Sequence, residues 1–221
     1  MLNEPFLPKA VIFDMDGLLL DTEQPVKDLW LKAARNRGWE IRTETVLRTI
    51  GVDEKTSRNI MREECGPDFP YQEIREELRR LITETAERDG IRWRPGLPVI
   101  LDRLEGLKIP YGLATSTARE TALWKLEKAG LPAGRFRVIV CGDEVEQGKP
   151  APDIFLRAAE LLGAAPGDCL GFEDSPAGLR ALAAAGIPSV FIKDLLEPPA
   201  EVLAAVWRRC TDLAEAASLI G

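Results

Sequence analysis

The sequence predicts an α/β fold in which a doubly wound parallel sheet carries an inserted, all-helical cap domain. Short, continuously apolar segments recur along the chain, as expected of strands that are buried on both faces of a parallel sheet. Segments with helical periodicity alternate with them and end in glycine, which helix C-termini favour. A long stretch after the first apolar segment has helical periodicity only, which indicates an insertion.

Five segments have the composition of buried strands: Ala10–Phe13, Tyr111–Ala114, Val138–Cys141, Cys169–Phe172 and Ser189–Ile192. Four helices are predicted between them: Leu97–Gly106, Arg119–Gly130, Ile154–Gly163 and Pro176–Gly186. Thr117 to Glu120 has the spacing of a capping box, and Ser175 precedes Pro176 as N-cap and first helical residue. Two further helices are predicted within Ala200–Ile220. This alternation predicts a Rossmann-like core with helices on both faces of the sheet.

The interruption of the alternation sets the predicted domain boundaries. Residues 21–90 are predicted to form the helical cap, and residues 1–20 together with 91–221 the α/β core. Two cap segments place their apolar residues on one helical face: Val26, Leu29, Trp30, Ala33 and Ala34 in the first, and Ile74, Leu78, Leu81 and Ile82 in the second. Glycine and proline cluster near the two connections, as expected of linkers.

The composition excludes several classes of function. The 221 residues carry a formal net charge of −7 with scattered lysine and arginine, so neither nucleic acid nor an anionic membrane is an expected partner. Asp14 and Asp16 interrupt the first apolar segment, and no run is long enough to span a bilayer. We therefore expect a cytoplasmic protein, monomeric at this size, that acts on a small molecule.

The chain contains no histidine, which excludes Ser-His-Asp and Cys-His catalysis and histidine-bearing zinc sites. Its four cysteines lie far apart and include no C-x-x-C pair, so neither a zinc site nor a disulfide framework is predicted. Acid–base chemistry must therefore come from carboxylates, lysine, tyrosine or cysteine.

Two carboxylates, Asp14 and Asp16, directly follow the first predicted strand. Ligands bind at the carboxyl edge of such parallel sheets. Alternate residues of a strand point in the same direction, so both side chains can reach one reacting centre if the strand direction persists. Two adjacent acids cost electrostatic energy unless protons or a cation offset it, and a divalent metal ion is the simplest such cation.

Four ordered motifs resemble those of the haloacid dehalogenase superfamily. The residues that carry the resemblance are, motif by motif, Asp14, Asp16 and Gly17; Thr115; Lys149; and Glu173 and Asp174. The resemblance covers nearly the whole chain, including the helical insertion. The segments Asp21–Glu23 and Glu173–Gly178 are most similar to the branch that contains β-phosphoglucomutase and sugar-phosphate phosphatases.

The resemblance implies a phosphatase of small phosphorylated metabolites. Asp14 is then the nucleophile that forms an aspartyl-phosphate, and Asp16 is the general acid and base. The implied cofactor is Mg²⁺, held by Asp14, the backbone carbonyl of Asp16 and Asp174, with Glu173 nearby.

The resemblance also implies contacts to the substrate. The residues implied to bind the phosphoryl group are Thr115, Ser116 and Lys149. The cap residues predicted to contribute to specificity are Glu23, Glu54 and Lys55. The sequence does not identify the substrate: sugar phosphates, nucleotides and phosphoglycolate-like acids are all compatible with it.

A phosphomutase of the β-phosphoglucomutase type is the main alternative. Those enzymes carry a histidine in the helix after the first motif, and an ungapped alignment places Val26 there. They also bind a second phosphate with a cap arginine after a Gly-Val pair, where this chain has Glu54 after Gly51-Val52. A glutamate repels phosphate, although a shift of one residue brings Lys55 to that place. These differences favour the phosphatase.

Two other functions fit the sequence less well. A non-enzymatic phospho-receiver also uses a phosphorylated aspartate with Mg²⁺, threonine and lysine, but it needs neither Asp16 nor a cap. Metal-independent dehalogenation is disfavoured because Asp16 and the Glu173-Asp174 pair suit a metal that such chemistry does not use.

Overall fold

The computed structural model describes residues 7–50 and 54–221, so the Gly51-Val52 pair of the mutase comparison lies outside the described residues. The chain divides into two compact units, one of residues 1–21 and 92–221 and the other of residues 22–91. We call them the core unit and the helical unit. No helix among the described residues combines the length and the apolar character that crossing a bilayer requires.

The core unit is built on a single sheet. Its strands among the described residues are Ala10–Phe13 (β1), Tyr111–Thr115 (β2), Val138–Cys141 (β3), Cys169–Glu173 (β4), Ser189–Ile192 (β5) and Arg208–Cys210 (β6). All neighbouring strands are parallel, in the spatial order β3-β2-β1-β4-β5-β6. The predicted doubly wound parallel sheet is therefore confirmed, with β1 where the strand order reverses.

The α-helices of the described residues are, in chain order, Glu23–Asn36 (α1), Thr43–Leu47 (α2), Glu54–Cys65 (α3), Tyr71–Asp89 (α4), Leu97–Gly106 (α5), Arg119–Lys128 (α6), Asp153–Leu162 (α7), Pro176–Ala185 (α8), Ala200–Leu203 (α9) and Leu213–Ala217 (α10). The first four belong to the helical unit and the other six to the core unit. Ser175 is the N-cap of α8, as predicted, because its side chain accepts a hydrogen bond from the N–H of Gly178.

The sheet is buried on both faces. On one face, Ala10 and Ile12 of β1 pack in a cluster with Phe155 of α7 and Leu182 of α8. Phe13, which points to the opposite face, is also fully buried. This double burial explains why the strands are continuously apolar.

Two details of the sequence prediction are wrong. The two helices predicted within Ala200–Ile220 are present, but β6 lies between them and pairs with β5 at the sheet edge. Its sequence, Arg-Arg-Cys, has neither the length nor the apolar run of a buried strand. Gly106 is the last residue of α5 rather than a left-handed C-cap, and Lys108 has the positive φ, 57°, instead.

The helical unit has its own apolar core. Trp30 of α1 packs in one cluster with Ile74 and Leu78 of α4, and α1 and α4 are the most closely packed pair of this unit. The ring of Tyr71 lies 5.9 Å from that of Trp30, and its hydroxyl donates to Ser57 Oγ at 2.9 Å. The apolar faces predicted for these two helices therefore form the centre of the unit.

Candidate active site

Asp14 is held at the carboxyl end of β1. Its N–H donates to the carbonyl of Phe172 in β4 at 3.0 Å, so the pairing of the two strands continues into this residue. Its side chain is only 9% exposed. In a sheet of this order a ligand crevice opens where the winding reverses, which is beside β1. Asp14 is thus fixed by buried backbone at the edge where ligands bind.

Lys149 connects two carboxylates at the ends of adjacent strands, Asp14 directly after β1 and Glu173 as the last residue of β4. Its Nζ lies 2.5 Å from Asp14 Oδ1 and 2.5 Å from Glu173 Oε1, and its side chain is 5% exposed. The same ammonium group lies 4.8 Å from the centre of the Phe155 ring, within the range of a cation–π contact. One buried cation therefore bridges the ends of β1 and β4.

The electrostatics of this cluster make Asp14 hard to ionise. The pKa of Asp14 is raised from an ordinary 3.8 to about 8, chiefly because the side chain is buried; Glu173 and Asp16 also raise the pKa, and Lys149 lowers it. Burial lowers the pKa of Lys149, but the charges of Asp14 and Glu173 outweigh burial and hold it above its ordinary value. The lysine stays protonated, and it does not supply enough positive charge for all the neighbouring carboxylates.

Asp16 is bound by two donors from the core unit. Lys125 Nζ donates to Asp16 Oδ1 at 2.6 Å, and Thr117 Oγ1 donates to Asp16 Oδ2 at 2.7 Å. The prediction that Thr117 caps a helix is wrong, because the N-cap of α6 is Ala118 and it makes no side-chain cap bond. The hydroxyl of Thr117 contacts the predicted acid–base residue instead.

The residues predicted to bind the phosphoryl group differ in exposure. Thr115 ends β2 and is 1% exposed, and its Oγ1 accepts the N–H of Thr117 at 3.1 Å. Because the Thr115 hydroxyl is the acceptor in this bond, its own hydrogen can be donated to a phosphoryl oxygen. Ser116 is exposed, and its backbone packs against Gly142, where a Cβ would lie 2.3 Å from the Ser116 carbonyl oxygen.

Glu173 organises the loop that follows β4. It is fully buried, and Oε2 accepts the N–H groups of Asp174 and Ser175 at 2.9 and 2.8 Å and the Ser175 hydroxyl at 2.9 Å. Gly178 makes room for this carboxylate, since a Cβ there would lie 1.8 Å from Glu173 Oε1. Glu173 thus holds both Lys149 and the backbone of Asp174.

Gly17 brings Asp174 close to the first motif. Gly17 has a φ of 79°, and a Cβ at this position would lie 2.4 Å from Asp174 Oδ2. A side chain there is excluded both by its conformation and by the carboxylate. The glycine therefore lets Asp174 approach the backbone directly after Asp16.

A family model of haloacid dehalogenase-like hydrolases matches residues 8–186 of this chain. The chain belongs to the haloacid dehalogenase-like hydrolase family. It is 33% identical over 188 residues to a phosphorylated carbohydrates phosphatase of Thermotoga maritima, covering 83% of this chain and 84% of the relative. It is 35% identical over 193 residues to hexitol phosphatase A of Escherichia coli K12, covering 86% of each.

A solved structure of a haloacid dehalogenase family hydrolase from Deinococcus radiodurans R1, with bound phosphate and sodium, has the same fold. Its TM-score is 0.78 at 25% identity, over 98% of each chain. These matches confirm the predicted superfamily, and the predicted enzyme class, a phosphoric monoester hydrolase, is confirmed with it.

The donor set of this haloacid dehalogenase-like hydrolase fits a hard divalent cation. Hydrolases of the superfamily generally use Mg²⁺. In the part of the chain that the structure describes, no three metal-binding side chains converge as a ready-made cluster. The raised pKa of Asp14 nevertheless marks a carboxylate short of positive charge, and Gly17 brings Asp174 against the backbone beside Asp16. Two carboxylates and a carbonyl are the oxygen ligands that Mg²⁺ prefers.

The predicted specificity residues all belong to the helical unit. Glu23 is the first residue of α1, and Glu54 is the first of α3, followed by the exposed Lys55. Glu54 Oε1 accepts from Gln72 Nε2 at 3.1 Å, and this bond, followed by the charge of Arg75, lowers the pKa of Glu54. Their role in recognising the substrate stays a prediction.

Lys125 and Gly178 are site residues that the sequence analysis did not single out. Lys125 follows Ala122 by three positions and precedes Leu126, and both of these are buried. That spacing places the lysine beside the inward face of α6. A charge in this position is unusual, and it is the sequence pattern from which a buried partner for Lys125 could have been predicted. Gly178 lies in a segment of the resemblance, but only the contact with Glu173 shows why a glycine is needed there.

Proposed function

We propose that this hydrolase is a Mg²⁺-dependent phosphatase of small phosphorylated metabolites, with sugar phosphates as its substrate class, and that it acts through an aspartyl-phosphate on Asp14. The observation that carries the proposal is the placement of Asp14 at the carboxyl end of the central strand, 2.5 Å from the ammonium group of Lys149. A nucleophile, a fixed cation and a second carboxylate there suit phosphoryl transfer.

In the first step, an Asp14 carboxylate oxygen attacks phosphorus and the bond from phosphorus to the leaving oxygen breaks. Asp16 gives its proton to that oxygen, so the product leaves as an alcohol. Lys149, and the hydroxyl of Thr115 at the end of β2, bind the charged phosphoryl oxygens.

In the second step, water attacks the phosphorus of the aspartyl-phosphate. Asp16, now ionised, accepts the proton from water, and the bond between phosphorus and the Asp14 oxygen breaks. Inorganic phosphate is released, and Asp14 returns to the carboxylate while Asp16 returns to the acid.

The metal ligands proposed are the Asp14 carboxylate, the Asp16 backbone carbonyl and Asp174. A bound Mg²⁺ supplies positive charge that favours ionised Asp14 and neutralises the phosphoryl oxygens. We propose that Glu173 acts mainly by holding Lys149 and the Asp174 backbone, because Oε1 accepts from Lys149 and Oε2 accepts from three donors of the following loop.

The substrate class rests on relatives and on the sequence. One relative is named for phosphorylated carbohydrates and another for hexitols, and the Deinococcus radiodurans structure contains phosphate. The residues proposed to bind the phosphoryl group, Thr115, Ser116 and Lys149, all belong to the core unit. The part of the substrate beyond the phosphate is proposed to contact Glu23, Glu54 or Lys55.

A panel of phosphomonoesters tests the proposal. We expect release of inorganic phosphate from sugar phosphates with Mg²⁺, no release with EDTA, and none from the Asp14→Asn variant with Mg²⁺. The panel includes β-glucose 1-phosphate, for which conversion to glucose 6-phosphate without phosphate release identifies a mutase. Lasting phosphorylation of Asp14 without product turnover would instead identify a receiver, and full activity of Asp14→Asn would contradict all three.

A further inference from the structure

Lys125 lies outside the four motifs and contacts the residue proposed as general acid and base. Its Nζ lies 2.6 Å from Asp16 Oδ1, and the two side chains are 18% and 15% exposed. The second carboxylate oxygen accepts from Thr117 at 2.7 Å. Each oxygen of Asp16 is therefore bound by a different donor, which fixes the plane of the carboxylate as well as its position.

The helix that carries Lys125 is anchored at its first residue. Arg119 donates through Nε and Nη2 to Glu144, at 2.6 and 2.8 Å, and through Nη2 to the carbonyl of Ile139 in β3 at 2.7 Å. Its backbone N–H donates to Asp143 at 3.0 Å. The start of α6 is thus tied to β3 and to the loop that follows it.

The middle of α6 is fixed by packing. Ala122 and Leu126 are buried and lie three residues before and one residue after Lys125. The helix is therefore held at both points, and the Lys125 side chain that leads from it to Asp16 is itself only 18% exposed.

We infer that Lys125, together with Thr117, is a positioning residue that holds the Asp16 carboxylate in the orientation required for proton transfer. This inference rests on the proposed function, since it assigns Lys125 a role only through Asp16. Lys149 donates to Asp14, whereas Lys125 donates to Asp16, so the two lysines serve different partners. Proton transfer requires a donor–acceptor distance of about 2.6–3.2 Å, and a displacement of about 1 Å costs roughly 100-fold in rate.

Removing the ammonium group separates this role from phosphate binding. For Lys125→Met acting on glucose 6-phosphate, we expect kcat to fall about 100-fold while KM changes little. Lys125→Arg restores part of kcat because it keeps a cationic donor. Thr117→Val lowers kcat in the same way, whereas Thr117→Ser, which keeps the hydroxyl, does so less.

A substrate with a good leaving group tests whether the effect passes through Asp16. The leaving group of p-nitrophenyl phosphate departs as the stable anion p-nitrophenolate, so the first step needs no acid, while the second step still needs Asp16 as base. We expect Lys125→Met to release one equivalent of p-nitrophenol per enzyme rapidly and then to turn over slowly. A structural disturbance would slow the burst and the steady state alike.

A double-mutant cycle with Asp16→Asn gives the decisive comparison. We expect Lys125→Met to have no further effect on steady-state turnover in the Asp16→Asn background. Lys9→Met is the matched control. Lys9 lies directly before β1 and forms a 2.9 Å ion pair with Asp168, which lies directly before β4. The kinetics of Lys9→Met should equal those of the unaltered enzyme. Thermal unfolding establishes that each variant is folded.

Three outcomes would overturn the inference: unchanged kcat in both Lys125→Met and Thr117→Val, an equal loss from Lys125→Met with and without Asp16, or a rise in KM alone. An unaltered enzyme that hydrolyses no phosphomonoester would overturn the proposed function and the inference with it. An active enzyme whose Lys125 variants behave like Lys9→Met would overturn the inference alone.

Discussion

The side chain of Asp14 combines burial with a crowded charge environment. Its pKa is raised to about 8, chiefly by burial; the nearby Glu173 and Asp16 also raise the pKa, whereas Lys149 lowers it. An unfolded chain would ionise this residue near its ordinary value of 3.8. Between these values the folded protein binds more protons at Asp14 than the unfolded one does.

This difference predicts how stability depends on pH in the metal-free protein. A carboxyl group whose pKa is raised by folding stabilises the fold fully below its unfolded pKa, and that contribution is lost as pH rises to about 8. Asp14→Asn has no such loss. We expect the melting temperature of Asp14→Asn, minus that of the unaltered protein, to increase between pH 5 and pH 8 in EDTA.

Differential scanning fluorimetry of both proteins measures this increase, and comparison of the two cancels the titration of other groups. Added Mg²⁺ should stabilise the unaltered protein at pH 8 and stabilise Asp14→Asn much less. A difference in melting temperature that stays constant from pH 5 to pH 8 would contradict the raised pKa of Asp14.

The loop between β4 and α8 depends on a glycine rather than on helix propensity. A Cβ on Gly178 would lie 1.8 Å from Glu173 Oε1 and 2.0 Å from its Cδ. Glu173 cannot retreat without losing its bonds to the backbone of Asp174 and Ser175. We expect Gly178→Ala to destabilise the fold by about 1–3 kcal/mol and to lower kcat through displacement of Lys149.

Helix propensity alone predicts the opposite sign, because alanine is favoured over glycine inside a helix by roughly 0.5–1 kcal/mol. Gly134→Ala is the control, since nothing lies within 4 Å of a Cβ at that position. Denaturant unfolding and steady-state kinetics measure the two variants. A Gly178→Ala protein as stable and active as Gly134→Ala would refute the role given to this contact.

At the scale of elements, the sequence predicts those strands and helix ends whose pattern lies in adjacent residues. The five apolar strands and the Ser175 cap are predictable because burial on both faces and a Ser-Pro helix start leave marks in adjacent residues. β6 has no such sequence pattern, because its pairing with β5 at the sheet edge does not require apolar residues. Thr117 has the spacing of a cap, but its hydroxyl bonds to Asp16, which lies 101 positions away in the chain.

The whole molecule explains why distant residues meet. The strand order places β1 between β2 and β4, so the residues that follow these three strands meet at one edge. The motifs predict Asp14, Thr115, Lys149 and Glu173 at this edge because each follows a strand or lies in a connecting loop. Lys125 is not predictable in this way, because it comes from within a helix and approaches Asp16 only through tertiary packing.

The net charge of the molecule bears on its assembly. A formal charge of −7 makes copies of the chain repel one another, which favours a monomer. We expect size-exclusion chromatography with light scattering to give 24.4 kDa, the mass of one chain. A mass of twice that value, unchanged on dilution, would contradict the prediction of a monomer.

The central claim is that Asp14 carries the phosphoryl group, and trapping the intermediate tests it most directly. Acid quench of Asp16→Asn during turnover of p-nitrophenyl phosphate with Mg²⁺, followed by peptide mass spectrometry, reports which residue is phosphorylated. We predict the added mass of one phosphoryl group on Asp14, and none in the Asp14→Asn, Asp16→Asn double variant. A phosphoryl group on another residue, or active turnover with no phosphorylated peptide, would contradict the claim.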